Sequence, residues 1–319
     1  MIRIAIDAMG GDRAPEEIIR GAAEAREKYQ ITLVGPGFLR ESIPKGMKLV
    51  EASEWIEMDE SPAIALRRKK DSSLMVAAKL VRDGKADALI SAGNSGATMG
   101  AALLSLGRIP GISRPAIAIP LPTVTKDPCL ILDAGANVDC TEENLLQFAK
   151  MGANYYQAVF KAERPRVGLL NIGEEESKGN QCTVAAHKLL LQSDLNFIGN
   201  IEGQDLTGGR AQVVVCDGFV GNIILKFAEG MAASIFTILK DEVKKSSLSK
   251  LGMGLAKPAL KSLAARFDYA EYGGAPLLGV GGVVMISHGR SNARAILNSI
   301  ESAAACVEKQ VVQQLKEGQ

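Results

Sequence analysis

The feature that most constrains this chain is a series of short polar turns containing glycine, each directly after an apolar stretch. In order they are Ala8-Met9-Gly10-Gly11-Asp12, Ser91-Ala92-Gly93-Asn94-Ser95-Gly96-Ala97, Asp133-Ala134-Gly135-Ala136-Asn137, residues 171–179 and Cys216-Asp217-Gly218-Phe219-Val220-Gly221-Asn222. A looser one is Ser287-His288-Gly289-Arg290-Ser291. Buried parallel strands read as continuous apolar runs, and glycine after such a strand lets backbone N–H groups face a ligand. Turns of this kind gathered on one sheet edge would line a pocket with amides and short polar groups, suited to an anion such as phosphate.

The apolar stretches are strand-like at 3–8, 31–35, 48–52, 88–91, 116–120, 129–133, 167–171, 196–199, 213–216 and 283–286. Helical patterns alternate with many of them. Pro15-Glu16-Glu17 opens one, Ser61-Pro62 another, and Thr141-Glu142-Glu143-Asn144 a long one to about residue 160. The stretch from 291 to about 316 also reads as one helix. This alternation predicts a three-layer α/β/α fold with a mostly parallel sheet, in which ligands bind beyond the carboxyl ends of the strands. With 319 residues and no low-complexity linker, the chain is expected to form a single domain over 1–319.

Composition narrows the function. Aromatic residues are only 4%, which argues against base-stacking surfaces for single-stranded nucleic acid. The net charge of +1 gives no global pull towards DNA or acidic lipid. The five cysteines are widely spaced without a C-x-x-C pair, so neither a disulfide framework nor a structural zinc site is expected. No run of about 18 uninterrupted apolar residues occurs, so no membrane-spanning helix is expected.

One segment breaks the alternation and is expected to form a protruding, basic amphipathic helical insertion. Residues 243–267 carry Lys244, Lys245, Lys250, Lys257, Lys261 and Arg266 without an acid. Leu248, Leu251, Leu255, Leu263 and Phe267 recur on one helical face, and Pro258 should kink or divide the helix. Such a stretch either packs on its own domain or a partner, or lies in the headgroup layer of an anionic membrane.

The turns supply the candidate chemistry. In 171–179 three glutamates and a lysine lie between two glycines; this is either a solvated charge run or a site loop. Lys178 could neutralise a phosphate oxygen or an oxyanion; Glu175 could hold it in place or bind a metal, the metal being the weaker idea because no histidines stand with these carboxylates at ligand spacing. Asn222 and Lys226 share a face of the helix after Asp217. Asn94, Ser95 and Gly96 open a helix, as an ordinary cap or as anion donors. Of the two histidines, His187 sits within a helical pattern and reads as structural, whereas His288 stands at a strand end. No Walker loop, dinucleotide fingerprint or nucleophile elbow is present.

These turns, in this order and together with Tyr272-Gly273-Gly274-Ala275-Pro276-Leu277-Leu278-Gly279, resemble the bacterial phosphate acyltransferase family PlsX, from Ile4 to about Ser291. Arg13 stands where histidine would be the commoner residue. The resemblance implies transfer of a long-chain acyl group from acyl carrier protein to inorganic phosphate for phospholipid synthesis. It also implies a fold like isocitrate dehydrogenases and phosphotransacetylases, a homodimer, and reversible attachment to the inner face of the cell membrane from the cytoplasm. Neither a cofactor nor a metal is expected, and a glycerol-3-phosphate acyltransferase that uses acyl phosphate is the implied downstream partner.

Within that frame Lys178, His288 and Asn222 are the catalytic candidates. Asn94, Ser95, Gly96, Asn137 and Lys226 are the phosphate-binding ones. Asp7, Asp12, Glu175 and Asp217 would brace loops. Leu251, Leu255, Leu263 and Phe267 would form an acyl groove or a membrane face, with Phe219, Leu277 and Leu278 as further groove candidates. Arg67-Arg68-Lys69-Lys70 is a candidate for docking the acidic carrier. The rivals are a short-chain phosphotransacetylase acting on acyl-CoA, a nicotinamide-dependent decarboxylating dehydrogenase, and a non-catalytic membrane scaffold.

Overall fold

The computed structural model describes the whole chain except residues 126, 268–270, 272 and 319, and at 267 it describes the backbone alone. The order is β1 (Arg3–Asp7), α1 (Glu16–Ala25), β2 (Gln30–Gly35), β3 (Lys48–Glu51), α2 (Pro62–Arg68), α3 (Ser73–Arg82), β4 (Ala88–Ser91) and α4 (Ser95–Leu106). Next come β5 (Ala116–Ile117), β6 (Ile119–Leu121), β7 (Cys129–Leu132), α5 (Glu142–Phe160), β8 (Val167–Leu170), α6 (Gln181–Leu191), β9 (Phe197–Ile201), α7 (Asp205–Gly208) and β10 (Val213–Val215). The chain closes with α8 (Gly218–Lys244), α9 (Ser247–Phe267), β11 (Ala275–Leu278), β12 (Val283–Ile286), α10 (Ala293–Glu308) and α11 (Val311–Glu317).

These strands form two sheets, ordered β3-β2-β1-β4-β12-β11-β5 and β6-β7-β10-β8-β9. Within the first, β3, β2, β1, β4 and β12 are parallel; within the second, β7, β10, β8 and β9 are parallel. Alternate residues of each strand face opposite sides. Ile4 and Ile6 of β1 pack with Ile18 of α1 and Ile296 of α10, while Ala5 packs with Leu74 of α3 and Ala101 of α4. The second sheet is sandwiched likewise: Leu130, Val167 and Val213 pack under Phe148 and Tyr156 of α5, whereas Ile131 and Val214 face Val220 and Ile224 of α8. Phe148 is fully buried, and Phe148→Ala would cost about 3–5 kcal/mol.

The expected strand at 116–120 is divided. Ala116 and Ile117 pair with β11 in the first sheet, and Ile119 to Leu121 pair with β7 in the second, so one extended run feeds both. Strand β11 has no counterpart in the expected pattern. Pro276 lacks the N–H that a central strand normally donates, which masks the strand in the sequence; its carbonyl still accepts from Ala118 N at 3.1 Å. The expected C-terminal helix is two helices, separated at Gln310, whose φ of 50° is left-handed.

The helical projection is longer than the basic segment suggested. It begins at Gly218, and among the described residues α8 is the one helix long and apolar enough to cross a membrane, with its most apolar stretch unburied. The expectation that no such helix exists is thereby corrected; Lys226 and Glu229 interrupt the apolar run in sequence without breaking the helix. Pro258 lies inside α9, which runs unbroken from Ser247 to Phe267; the division falls instead between α8 and α9. On an exposed helix, water can satisfy the carbonyl that proline leaves unpaired. Helix α9 packs on α8, and Arg266 donates to the carbonyls of Thr123 and Thr125 at 2.7 and 2.9 Å.

Candidate active site

The glycine turns collect into two groups, one on each sheet. On the first sheet, Asp7 at the end of β1 accepts hydrogen bonds from Ser73 Oγ at 2.6 Å, Ser91 Oγ at 2.8 Å and Met9 N at 3.3 Å. Burial pushes its carboxyl above the ordinary range, and those three bonds pull it part of the way back. The turn after β12 joins the group, since Asp12 N donates to Gly289 O at 2.7 Å. His288 is exposed, and its Nδ1 accepts from Arg290 N at 3.0 Å. Asp7 and Asp12 therefore stand where loops converge, Asp7 through its carboxylate and Asp12 through its backbone.

Asn94 caps α4: its Oδ1 accepts from Ala97 N at 3.1 Å. Its Nδ2 donates to the carbonyls of Met58 and Glu60 at 3.0 and 3.2 Å. Both amide hydrogens are spent on the neighbouring loop, so the side chain cannot serve as a phosphate donor without releasing it. The anion donors left at this helix start are the backbone amides of Ser95 and Gly96 and the exposed Ser95 hydroxyl.

On the second sheet Asp133 is the organising group. It is fully buried and accepts from the amides of Ile117, Gly135, Ala136 and Asn137 and from Asn137 Nδ2. Burial pushes this carboxyl up too. Ile117 belongs to the first sheet, so one carboxylate pins β5 to the turn after β7. Asn137 Nδ2 donates to Pro115 O at 2.7 Å and to Asp133 Oδ2 at 2.8 Å. Asn137 therefore shapes the wall and supplies no spare donor, a correction to its expected phosphate-binding role.

Helix α8 starts against this turn. Asp217 Oδ1 caps it by accepting from Val220 N at 2.8 Å, and Gly218 N donates to Asn137 O at 2.7 Å. Asn222 is half-buried with its side chain beside Gly135, and Lys226 is exposed one turn further on. Strand β8 is the neighbour of β10, so the Lys178 loop leaves the sheet beside the Asn222 helix.

The 171–179 loop is tethered rather than merely solvated. Lys178 N donates to Glu175 O at 3.0 Å, and Lys178 O accepts from Asn171 Nδ2 at 2.9 Å. Glu175 thus holds Lys178 through its backbone carbonyl. Glu174 pairs with Arg210, which also reaches Asp205 at 3.3 Å. Gly179 has φ +105°, and a side chain there would collide with Thr183 and Asn171. Among the described residues, the exposed Lys178 ammonium has no hydrogen bond or ion pair.

A groove of about 540 Å³ adjoins this loop, lined by Glu142, Glu143, Gly179, Asn180, Gln181 and Val184 among others. Of the turns, the 171–179 loop meets it, at Gly179. Leu277 and Leu278 are buried in the core and cannot line an acyl groove. Phe219, Leu251, Leu255 and Leu263 are exposed, and the side chain of Phe267 lies outside the described residues, as does Tyr272. In the basic run at 67–70, Lys69 is taken up by Glu60 and by the Trp55 carbonyl, while Arg67 and Arg68 remain exposed.

Sequence comparison decides the family. A family model described as fatty acid synthesis protein matches residues 2–314. The chain belongs to this family. A relative from Desulfitobacterium hafniense (strain DSM 10664 / DCB-2) named phosphate acyltransferase is 52% identical, covering 99% of this chain and 97% of its own. One of the same name from Heliobacterium modesticaldum is 53% identical, with the same coverage. The chain is accordingly an acyltransferase. Among solved structures it resembles a phosphotransacetylase from Streptococcus pyogenes, with a TM-score of 0.64, 19% identity and coverage of 98% of this chain and 94% of that one. It also resembles a 4-hydroxythreonine-4-phosphate dehydrogenase from Klebsiella pneumoniae, at 0.58, 13%, 96% and 100%. These likenesses establish the three-layer α/β/α fold.

The sequence did not single out Ser73, Ser91 and Asp133, which brace the turns. Asp133 had a usable signal: like Asp7 it follows an apolar run and precedes alanine. Ser73 lies far from the turn it braces, and no local pattern points to it.

Proposed function

We propose that the chain moves a long-chain acyl group from acyl carrier protein to inorganic phosphate, releasing acyl phosphate and the carrier thiol. The name of the relatives, phosphate acyltransferase, supports phosphate as acceptor. The observation that carries the reading is Lys178: a cation without a partner among the described residues, on a loop fixed at both ends, beside the helix that presents Asn222.

The chemistry asks little of a base. Phosphate is already an anionic nucleophile at neutral pH, so the protein must orient it and stabilise the oxyanion. A phosphate oxygen attacks the thioester carbon, the carbonyl electrons move to oxygen, and collapse of the adduct breaks the C–S bond. The thiolate then takes a proton. Lys178 and Asn222 face the developing oxyanion, with Lys226 and the Ser95 and Gly96 amides drawing phosphate. His288 orients phosphate or protonates the thiolate.

The two-sheet body acts as one unit in this reading. The exposed apolar residues of α8 and α9 stand beside Lys244, Lys245, Lys250, Lys257 and Lys261, a combination that suits an anionic bilayer. The protein works as a homodimer at the inner face of the membrane and releases product to an acyltransferase that uses acyl phosphate. Donor preference tests the reading. Rates with palmitoyl carrier protein and with acetyl-CoA, each with phosphate, should favour the carrier thioester; preference for acetyl-CoA would make the chain a short-chain phosphotransacetylase.

A further inference from the structure

Helix α6 carries a buried polar side chain whose interactions lead to the Lys178 loop. His187 is 3% exposed and packs edge-on to Phe197, with ring centroids 5.2 Å apart. Its Nδ1 lies 2.9 Å from Asn200 Oδ1, and Asn200 is itself 2% exposed. Asn200 Nδ2 donates to Glu175 O at 2.8 Å. A carbonyl only accepts, so this bond fixes the orientation of the amide. Its oxygen must then face the ring, and the ring must carry a proton on Nδ1.

Glu175 O is the same atom that accepts from Lys178 N at 3.0 Å. Both of its acceptor positions are used, one by the buried amide and one by the lysine backbone. The other side of the loop hangs from the same strand: Asn171 N donates to Ile201 O at 2.8 Å, and Asn171 Nδ2 donates to Lys178 O. Burying an imidazole and an amide is costly unless both are paired, and apolar residues could fill the space beside Phe197 without that cost. What the polar pair supplies is a fixed carbonyl for the loop.

We propose that His187 and Asn200 are positioning residues for Lys178, acting through the Glu175 carbonyl. This rests on the role given to Lys178 above. The residues touch no substrate; they set where the ammonium stands.

The test measures kcat and KM for phosphate in the full-length protein. His187→Phe keeps the ring packing and removes the donor, and should lower kcat about tenfold or more, since small displacements of a catalytic group cost rates of that size. His187→Gln restores a donor and should recover most of the rate. In a Lys178→Ala background, His187→Phe should cost nothing further, because residues acting as one unit are not additive. A wild-type rate in folded His187→Phe, or an equal loss in both backgrounds, overturns the proposal. Should His187→Phe not fold, Asn200→Ser serves: hydrogen exchange across 173–179 should accelerate, and unchanged exchange overturns the tether. Full activity in Lys178→Ala alone would overturn the reading of Lys178 and the catalytic half of this proposal, while the exchange result would still decide whether the relay holds the loop.

Discussion

Gly221 presses on Asp133: a Cβ added to Gly221 would collide with the Asp133 carbonyl oxygen. Helix α8 thus begins in backbone contact with the turn after β7, and that contact sets where Asn222 stands. Gly221→Ala must push the helix away from the turn. The expected cost is about 1–3 kcal/mol of stability, as for overpacking elsewhere, with acyl transfer reduced in whatever protein folds. Urea unfolding together with a rate measurement checks this; an alanine variant matching wild type in both would contradict the contact.

Lys178→Ala removes the cation proposed to neutralise the oxyanion. Turnover should fall on the order of a hundredfold, the usual scale for losing one such donor. Steady-state rates at varied phosphate provide the check, and an unchanged rate with unchanged phosphate dependence would remove Lys178 from the role.

Asp7 makes stability depend on pH. Its folded pKa is raised by burial, so its contribution is complete below the unfolded value near 4 and is lost as pH rises through the folded value. Asp7→Asn abolishes that titration. The variant's stability relative to wild type should therefore improve as pH rises from about 4. Denaturant midpoints across a pH series measure the difference, and a difference that stays flat would show that Asp7 does not titrate as its burial requires.

The membrane reading predicts a separable defect. Replacing Leu251, Leu255 and Leu263 by charged residues should abolish sedimentation with anionic liposomes and leave activity on a soluble thioester largely intact. These leucines are exposed, so their change should cost little stability. Unchanged sedimentation would refute the membrane role.

The thiols should be bystanders. Burial pushes Cys129 and Cys140 up to about 12 and Cys306 up to about 11, and raises Cys182 and Cys216 as well. Little thiolate exists at neutral pH to attack a thioester. Brief treatment with iodoacetamide at neutral pH should leave activity intact, and stoichiometric inactivation blocked by acyl substrate would instead indicate a cysteine intermediate.

Much of this architecture was legible because local signals and global fold agree. The capping box formed by Thr141 and Asn144 marks the start of α5, and the apolar runs locate the parallel strands. What escaped was set at a distance. Ile117 and Ile119 look alike in sequence yet join different sheets, a division imposed by Asp133 and by the register with β11. The turns were visible, but their distribution over two sheets depends on sheet order, which no single segment encodes. Asn94 and Asn137 illustrate the same limit at the site: asparagine at a strand end suits an anion, but only the fold shows that its donors are already committed.

Incubating the purified protein with palmitoyl carrier protein and radiolabelled phosphate follows the transfer itself. Label should appear in an acyl phosphate, formed together with free carrier thiol, and about a hundredfold more slowly with folded Lys178→Ala. Thioester consumed with no label in an acyl phosphate would contradict the proposed transfer.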